Sequence, residues 1–345
     1  MITVSVENTL LDTIGKHFVH PPSQLNAQHE SDAELLCVEG DDRTVLAITT
    51  DTIIEEITEG LYDDPYIAGW MIVMVNLSDL AAVGATPLGV LVAETLPENC
   101  SEEFIAALQR GIADACRTCG TYVLGGDTNF ADRFMLGGTA LGRISGKPLT
   151  RIGCRPGDIL CTSGLIGSGN GFVLHKMLHR NGQNTFKPVA RIAEGRCIAA
   201  HATACMDTSD GILATLDQLM YLNQTGFSLE KEWPKSLDPG SSGIVRAFSI
   251  PEWLLLAGNH GEYELLFTVP PERMQAFLAD ADQLGWAPWR IGTVVPEQRI
   301  SLMIDGTEYV PDTGYIRNIF AMRPFTLDGC IKMLLEYDRN LRMEG

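Results

Sequence analysis

The sequence is poor in the features that would assign it to a nucleic acid, a membrane or an oxidising compartment. It has 25 Lys and Arg against 44 Asp and Glu, a formal net charge of −19. That balance argues against nucleic acid or an anionic membrane surface as the main partner. Small anionic ligands remain compatible with it when metal ions carry them. No apolar run approaches the roughly 18 residues that span a bilayer, and no basic stretch followed by an apolar one opens the chain. The expectation is a cytoplasmic protein. No second CxxC accompanies Cys116-Arg-Thr-Cys119, so no zinc site is completed. Nine cysteines scattered through apolar segments read as reduced core thiols, not as a disulfide framework.

What remains is ordinary material for two domains: 345 residues, 45% hydrophobic and 20% charged. Two β-rich runs, 33–40 and 43–51, flank "EGDD", which suits a hairpin turn. Asp64-Pro65 starts a helix over 64–83, with the acid as N-cap and proline at the first helical position. A strand at 88–93, a helix at 101–119 and strands near 121–125 and 134–144 follow. "SGKPLTRIGCRPGD" is a hinge. The second half opens with the strand "ILCTSG" and the glycine-rich "GLIGSGNGF", then helices at 171–180 and 189–200 and another after Asp210-Gly211. Residues 234–245, "PKSLDPGSSGIV", read as a loop. Strands near 263–269 and 289–295 close the core, and the tail ends in an amphipathic stretch. The order of elements predicts α+β or α/β for both halves, without strict Rossmann alternation.

Acids recur where hydrophobic elements end. "ITTD" closes a strand with Thr49, Thr50 and Asp51. Asp79 in "VNLSDLAAVGA" lies near the C-terminal end of an apolar helix, where a carboxylate opposes the helix dipole and lacks a partner. "LGGDT" carries Gly126 and Asp127, and "MDTSDG" carries Asp207, Ser209 and Asp210. Oxygen ligands in this number suit Mg²⁺. Singly, each acid also reads as a helix cap, a turn residue or a solvated strand end. "GLIGSGNG" lacks the Lys-Ser/Thr of a P-loop and reads equally as a turn.

The set, with "TTDTII", "VNLSDLAAVGATP", "GKPLTRIGCRPGD" and "KPVARIAEG" in that order over residues 30–320, resembles the thiamine-monophosphate kinases. These belong to the superfamily of aminoimidazole ribonucleotide synthetase, selenophosphate synthetase and a hydrogenase maturation protein. The resemblance implies an AIR-synthetase-like fold: an N-terminal dimerising sheet domain over 1–147, a C-terminal α/β domain over 148–323 and a tail from 324 to 345. It implies a homodimer, ATP between the domains, and several Mg²⁺ ions. Carried over, Asp32, Thr49, Thr50, Asp51, Asp79, Asp127, Asp207 and Asp210 fall on metal positions. Gly126, Asp127, Arg151 and Ser209 fall at the nucleotide, with Arg151 facing phosphate. Glu262 and Tyr315 fall at a small phosphate-bearing substrate. Asp51, Asp79, Asp127 and Asp207 would serve catalysis.

Asp32 is preferred over Asp41 and Asp42 on register. The family run is glycine-acid-acid, a strand, a turn and a second strand ending in "TTD". "GDDR" stands directly before that second strand, so "SDAELLCV" supplies the acid and Asp41 and Asp42 belong to the turn. Other positions depart from the kinase pattern: Thr58 stands where a histidine is usual, Met71 for a lysine, and Gly261-Glu262 for the two acids of "GGEDYEL". The acceptor is therefore open. A ligase that activates a carbonyl or amide oxygen, and a nucleotide-binding homologue without turnover, remain alternatives to the kinase.

Overall fold

The computed structural model describes residues 3–38, 40–178, 186–322 and 326–344. Helix α1 (Val6–Gly15) leads to strands β1 (Glu34–Val38) and β2 (Asp41–Thr52), the short helix α2 (Ile54–Thr58) and the long helix α3 (Pro65–Ala82). Strand β3 (Thr86–Pro97), helix α4 (Glu102–Thr118) and strands β4 (Val123–Ala131) and β5 (Met135–Ser145) complete the first half. Its five strands order as β1-β2-β5-β3-β4, antiparallel except for β3 beside β4.

Asp64 caps α3 as expected, its Oδ1 accepting the Tyr66 N–H at 2.8 Å. Two glycines let α3 and α4 cross closely. A Cβ on Gly69 would lie 2.2 Å from the Leu108 carbonyl oxygen, and one on Gly111 would lie 2.0 Å from that of Tyr66. Every residue of α3 from Ile67 to Ala82 is buried, as its apolar sequence suggests. Contrary to the expectation that no such run exists, this helix is long and apolar enough to cross a membrane, but 83% of it lies inside the protein. It is a core helix shared by both halves.

The second half runs β6 (Ile159–Thr162), α5 (Ser168–Leu178), α6 (Ile192–His201), β7 (Ala204–Asp207), α7 (Ile212–Asn223), β8 (Gly226–Leu229) and α8 (Pro239–Ala247). It continues β9 (Leu265–Val269), α9 (Pro271–Gln283), β10 (Trp289–Val295), β11 (Ile300–Ile304), β12 (Thr307–Tyr309), α10 (Thr313–Phe320) and α11 (Leu327–Glu344). Seven strands order as β12-β11-β8-β10-β6-β9-β7. The mixed two-sheet architecture agrees with the α+β or α/β expectation. The predicted end of the 171–180 helix beyond Leu178 lies outside the described residues.

A loop expected in the second half is also corrected. Residues 234–245 are not a loop: a 3₁₀ turn over Trp233–Ser236 precedes α8, which Asp238 caps through the Ser241 N–H at 2.7 Å. Pro239 takes the first helical position, the same Asp-Pro start as at α3. All nine cysteines are free, and burial pushes the Cys116 and Cys119 thiols up to about 11, as suits packing residues.

The halves meet on the C-terminal end of α3. A Cβ on Gly195 of α6 would lie 2.1 Å from the Ala81 carbonyl oxygen. One hydrophobic cluster includes Met71, Leu77 and Ala82 of α3 together with Cys161, Ile198, Cys205 and Phe267 of the second half.

Candidate active site at the seam between the halves

Adjacent residues of α3 reach the two walls of one cavity. Ser78 Oγ donates to Asp207 Oδ2 at 2.6 Å, at the end of β7. Asp79 Oδ2 accepts from Thr49 Oγ1 on β2. The segment entering β1 brings Asp32, β2 brings Thr50 and Asp51, and the turn after β7 brings Ser209 and Asp210. These residues and Arg151 line a cavity of about 540 Å³. One carboxylate oxygen each from Asp32, Asp79 and Asp207 lies within 4.8 Å of the other two.

Arg151 answers only part of this charge. Its Nε and Nη2 both donate to Asp32 Oδ1, at 3.2 and 2.8 Å. Asp32 Oδ2 is left buried with no hydrogen-bond partner, which costs about 1–3 kcal/mol for a neutral group and more for a charged one. Burial, then the charges of Asp51, Asp207 and Asp32, raise Asp79 well above the carboxylate range, and the Thr49 hydroxyl relieves this only partly. Burial, with Asp32 adding to it, pushes Asp207 up to about 7. Burial likewise brings Asp51 and Asp210 to about 6. Burial works against the Arg151 charge, but Asp32, Asp79 and Asp207 keep it protonated. An all-oxygen donor set with more anions than cations and one orphaned oxygen suits a hard divalent cation.

A second cavity of about 510 Å³ adjoins the first and shares Glu7, Asp210 and Arg317 with it. Ser5, Leu10, Gly258, Asn259 and Phe320 belong to its wall. Helix α1 lies between the two, with Asn8 Nδ2 donating to Gln218 Oε1 at 3.0 Å. Glu7, Asn8, Gln218 and Arg317 were not legible in the sequence. They stand on three helices far apart in the chain, and no local pattern marks them.

Of the residues expected at the site, Asp32, Thr49, Thr50, Asp51, Asp79, Arg151, Asp207, Ser209 and Asp210 come together. Asp127 and Gly126 do not. They lie on the exposed edge strand β4, where Asp127 accepts from Asn129 Nδ2 at 2.6 Å. Gly126 is explained by packing, since a Cβ there would lie 1.9 Å from the Val92 carbonyl oxygen. Tyr315 stacks on Tyr337 at 5.4 Å and lines neither cavity. Glu262 faces a third cavity, and its Oε2 accepts the Gly167 N–H at 2.8 Å. A carboxylate thus holds the amide that a phosphate would need in the glycine-rich loop. Burial pushes Glu262 up to about 8.

The departures have physical reasons. A Cβ on Gly261 would lie 1.4 Å from the Thr208 carbonyl oxygen, so no acid fits there. Met71 is fully buried among apolar residues, where a lysine charge would be unanswered. Thr58 Oγ1 donates to the Ile54 carbonyl within α2. Asp41 and Asp42 open strand β2, with Asp41 opposite Val38, and do not stand in the turn itself. Their side chains and Glu39 lie outside the described residues.

Two family models match the chain: AIR synthase related protein, N-terminal domain, over residues 30–144, and its C-terminal domain over 155–305. The thiamine-monophosphate kinase of Halobacterium salinarum is 32% identical over 244 residues, covering 69% of this chain and 82% of that protein. The tt0281 protein of Thermus thermophilus superposes with a TM-score of 0.73 at 27% identity, covering 85% of this chain and 95% of that one. AaThiL complexed with AMPPCP and TMP shares the fold, with a TM-score of 0.72 at 23% identity over 87% and 94% of the two chains.

Proposed function

This chain belongs to the AIR synthase related protein family and acts as an ATP-dependent kinase; we propose that thiamine monophosphate is its acceptor and that Asp32, Asp79 and Asp207 hold Mg²⁺. The observation that carries the metal reading is Asp32 Oδ2, a buried oxygen without a proton donor beside two further carboxylates. Asp51 and Asp210 extend the acidic wall. Bound there, Mg²⁺ supplies neutralisation of the charge on a transferring phosphoryl group.

The chain's own residues position the reactants. The Thr49 and Ser78 hydroxyls fix the orientation of Asp79 and Asp207. The two cavities meet at Glu7, Asp210 and Arg317, and transfer needs the acceptor phosphate to reach the nucleotide's γ-phosphate in line across that junction. We assign no general base. An acceptor phosphate oxygen is already ionised near neutral pH, its second pKa being about 6.

We also propose a homodimer through the first sheet, with domains over 1–147 and 148–323 and a tail over 324–345. Among the described residues strand β4 is an unpaired edge, and Leu88, Leu91, Tyr122 and Leu124 stand exposed on or beside β3 and β4. Such a face is commonly covered by another chain. Asp127 lies on it, so any part it takes at the nucleotide belongs to the assembly.

Incubation with Mg-ATP and thiamine monophosphate, with ADP and free phosphate measured separately, tests the reading. Thiamine diphosphate and ADP in equal amounts without free phosphate support it. No thiamine diphosphate overturns the acceptor, and ADP accompanied by equal free phosphate points to the ligase chemistry.

A further inference from the structure

Arg317 on α10 is held at both ends by partners of different kinds. Its Nη1 donates to Asp217 Oδ2 at 3.0 Å and to Gln218 Oε1 at 3.2 Å, both on α7 and both buried. Its Nη2 donates to Glu7 Oε2 at 2.9 Å, and the Glu7 side chain is 54% exposed. One end of the guanidinium is thus anchored in the core, and the other is held by a surface carboxylate. Among the described residues lining the second cavity, Arg317 is the only cation. The other arginine of the first cavity, Arg151, is committed to Asp32.

The element that carries Glu7 is weakly seated. Of α1 only Asn8 is buried, while Val6 and Leu10 are more than half exposed and Leu11 and Ile14 are partly so. Polar contacts hold its start, the Val6 N–H donating to Asn318 Oδ1 at 2.8 Å. Glu7 also adds negative charge where an anionic acceptor must enter, and its charge helps raise Asp210.

We infer that the Glu7–Arg317 ion pair is a placeholder for the phosphate of the acceptor. Glu7 occupies the outer N–H groups of Arg317 until a phosphomonoester displaces it. A planar guanidinium with one edge anchored offers the other to phosphate oxygens in a fixed direction. A half-exposed carboxylate is a weak enough competitor to be displaced. This inference rests on the phosphorylated acceptor proposed above, and it adds the residue that recognises the phosphate and the one that guards it.

Steady-state kinetics of Glu7→Gln, Arg317→Gln and the double variant, with ATP and thiamine monophosphate varied separately, test it. Glu7→Gln should lower the KM for thiamine monophosphate about three- to fivefold, the weight of a partly exposed ion pair. Arg317→Gln should raise that KM about tenfold or more, the weight of a lost charge-assisted bond, and Glu7→Gln should then have no further effect. Should Arg317→Gln fail to fold, Arg317→Lys keeps the charge beside Asp217 and replaces it in the cycle. An unchanged or raised acceptor KM in Glu7→Gln, a Glu7 effect that persists without Arg317, or a shift in the ATP KM instead overturns the placeholder. A wild-type chain that does not turn over thiamine monophosphate overturns the acceptor reading, not the pair. The pair is then read with inorganic phosphate in EDTA. Phosphate should raise the melting temperature of Glu7→Gln more than that of wild type and not that of the Arg317 variant. Equal shifts in all three overturn it.

Discussion

Two groups of buried acids lie beside the seam, and the protein answers them in opposite ways. Glu264 has both oxygens occupied: Arg191 donates Nε to Oε2 at 2.7 Å and Nη2 to Oε1, and Ser163 Oγ donates to Oε2. Asp32, Asp79 and Asp207 share one arginine, which meets a single oxygen of the three residues. The first arrangement is complete as the chain folds. The second leaves a buried oxygen without a donor, the imbalance on which the proposed cation rests. Burial of charge therefore says little about function by itself, and the mismatch between anions and donors says a great deal.

The largest effect that sharpens this contrast is expected on the completed side. Arg191→Met leaves Glu264 without its fork and should destabilise the fold by about 3 kcal/mol, the lower end for a broken buried pair because Arg191 is partly exposed. Urea unfolding in EDTA measures it. A loss below about 0.5 kcal/mol, on the order of an exposed pair, would erase the distinction between the two groups.

Next comes ligand linkage on the incomplete side. Mg-ATP at about 100 times its Kd should stabilise the protein by roughly 2.7 kcal/mol, if it binds only the native state. ATP in EDTA should stabilise far less, because the bare carboxylates repel its phosphates. Equal shifts in thermal unfolding with and without metal would sink the cation reading.

A smaller effect separates the two groups by pH. Asp207 titrates at about 7 and Asp51 and Asp210 at about 6 in the folded chain, above the ordinary aspartate value. Folded-state values that are raised give stability that is full below about pH 4 and lost as pH rises through 6 and 7. The metal-free protein should therefore weaken from about pH 4 to about pH 7. Asp79→Asn removes one of the like charges and should flatten that slope, leaving the metal-free fold as stable as wild type or about 1 kcal/mol more so. It should also abolish Mg²⁺-dependent nucleotide binding. A steeper slope, or nucleotide binding that survives, contradicts the like-charge cluster.

The smallest effect concerns the register of the first hairpin. Asp41→Asn with Asp42→Asn should change stability and Mg-ATP turnover little, within about 0.5 kcal/mol, whereas Asp32→Asn should lower turnover strongly. The reverse pattern would move the acidic wall to the hairpin.

Much of this site is legible because its residues obey local rules. Asp32 follows only once the order of acid, strand, turn and second strand that the family resemblance implies is laid on the space before "TTD". Asp79 stands out as a carboxylate inside an apolar helix. The same rules do not reach every element: Asp64-Pro65 reads as a helix start, and Asp238-Pro239 escapes because Gly240, Ser241, Ser242 and Gly243 look like turn residues. Here packing overrides propensity, for Ser241 and Ser242 are buried in α8. Glu7, Gln218 and Arg317 are not legible, because their meeting depends on how α1, α7 and α10 converge. Asp127 carries the same letters as the other acids but sits on the face opposite to α3 and α4, a distinction that sequence spacing does not contain.

The shared helix α3 has a consequence for how the chain is made. It leaves the ribosome about a hundred residues before α6 and β7, which cover its C-terminal end. During that interval the nascent chain displays an 18-residue segment with the length and hydropathy of a membrane anchor. Strands β2 and β5 and helix α4 can cover most of it from the first half alone, with Thr49 on Asp79, while Ser78 and the Ala81 carbonyl wait for β7 and α6. Asn76, Ser78 and Asp79, which meet the cavity wall in the folded chain, are thus also the polar interruption of this helix during synthesis.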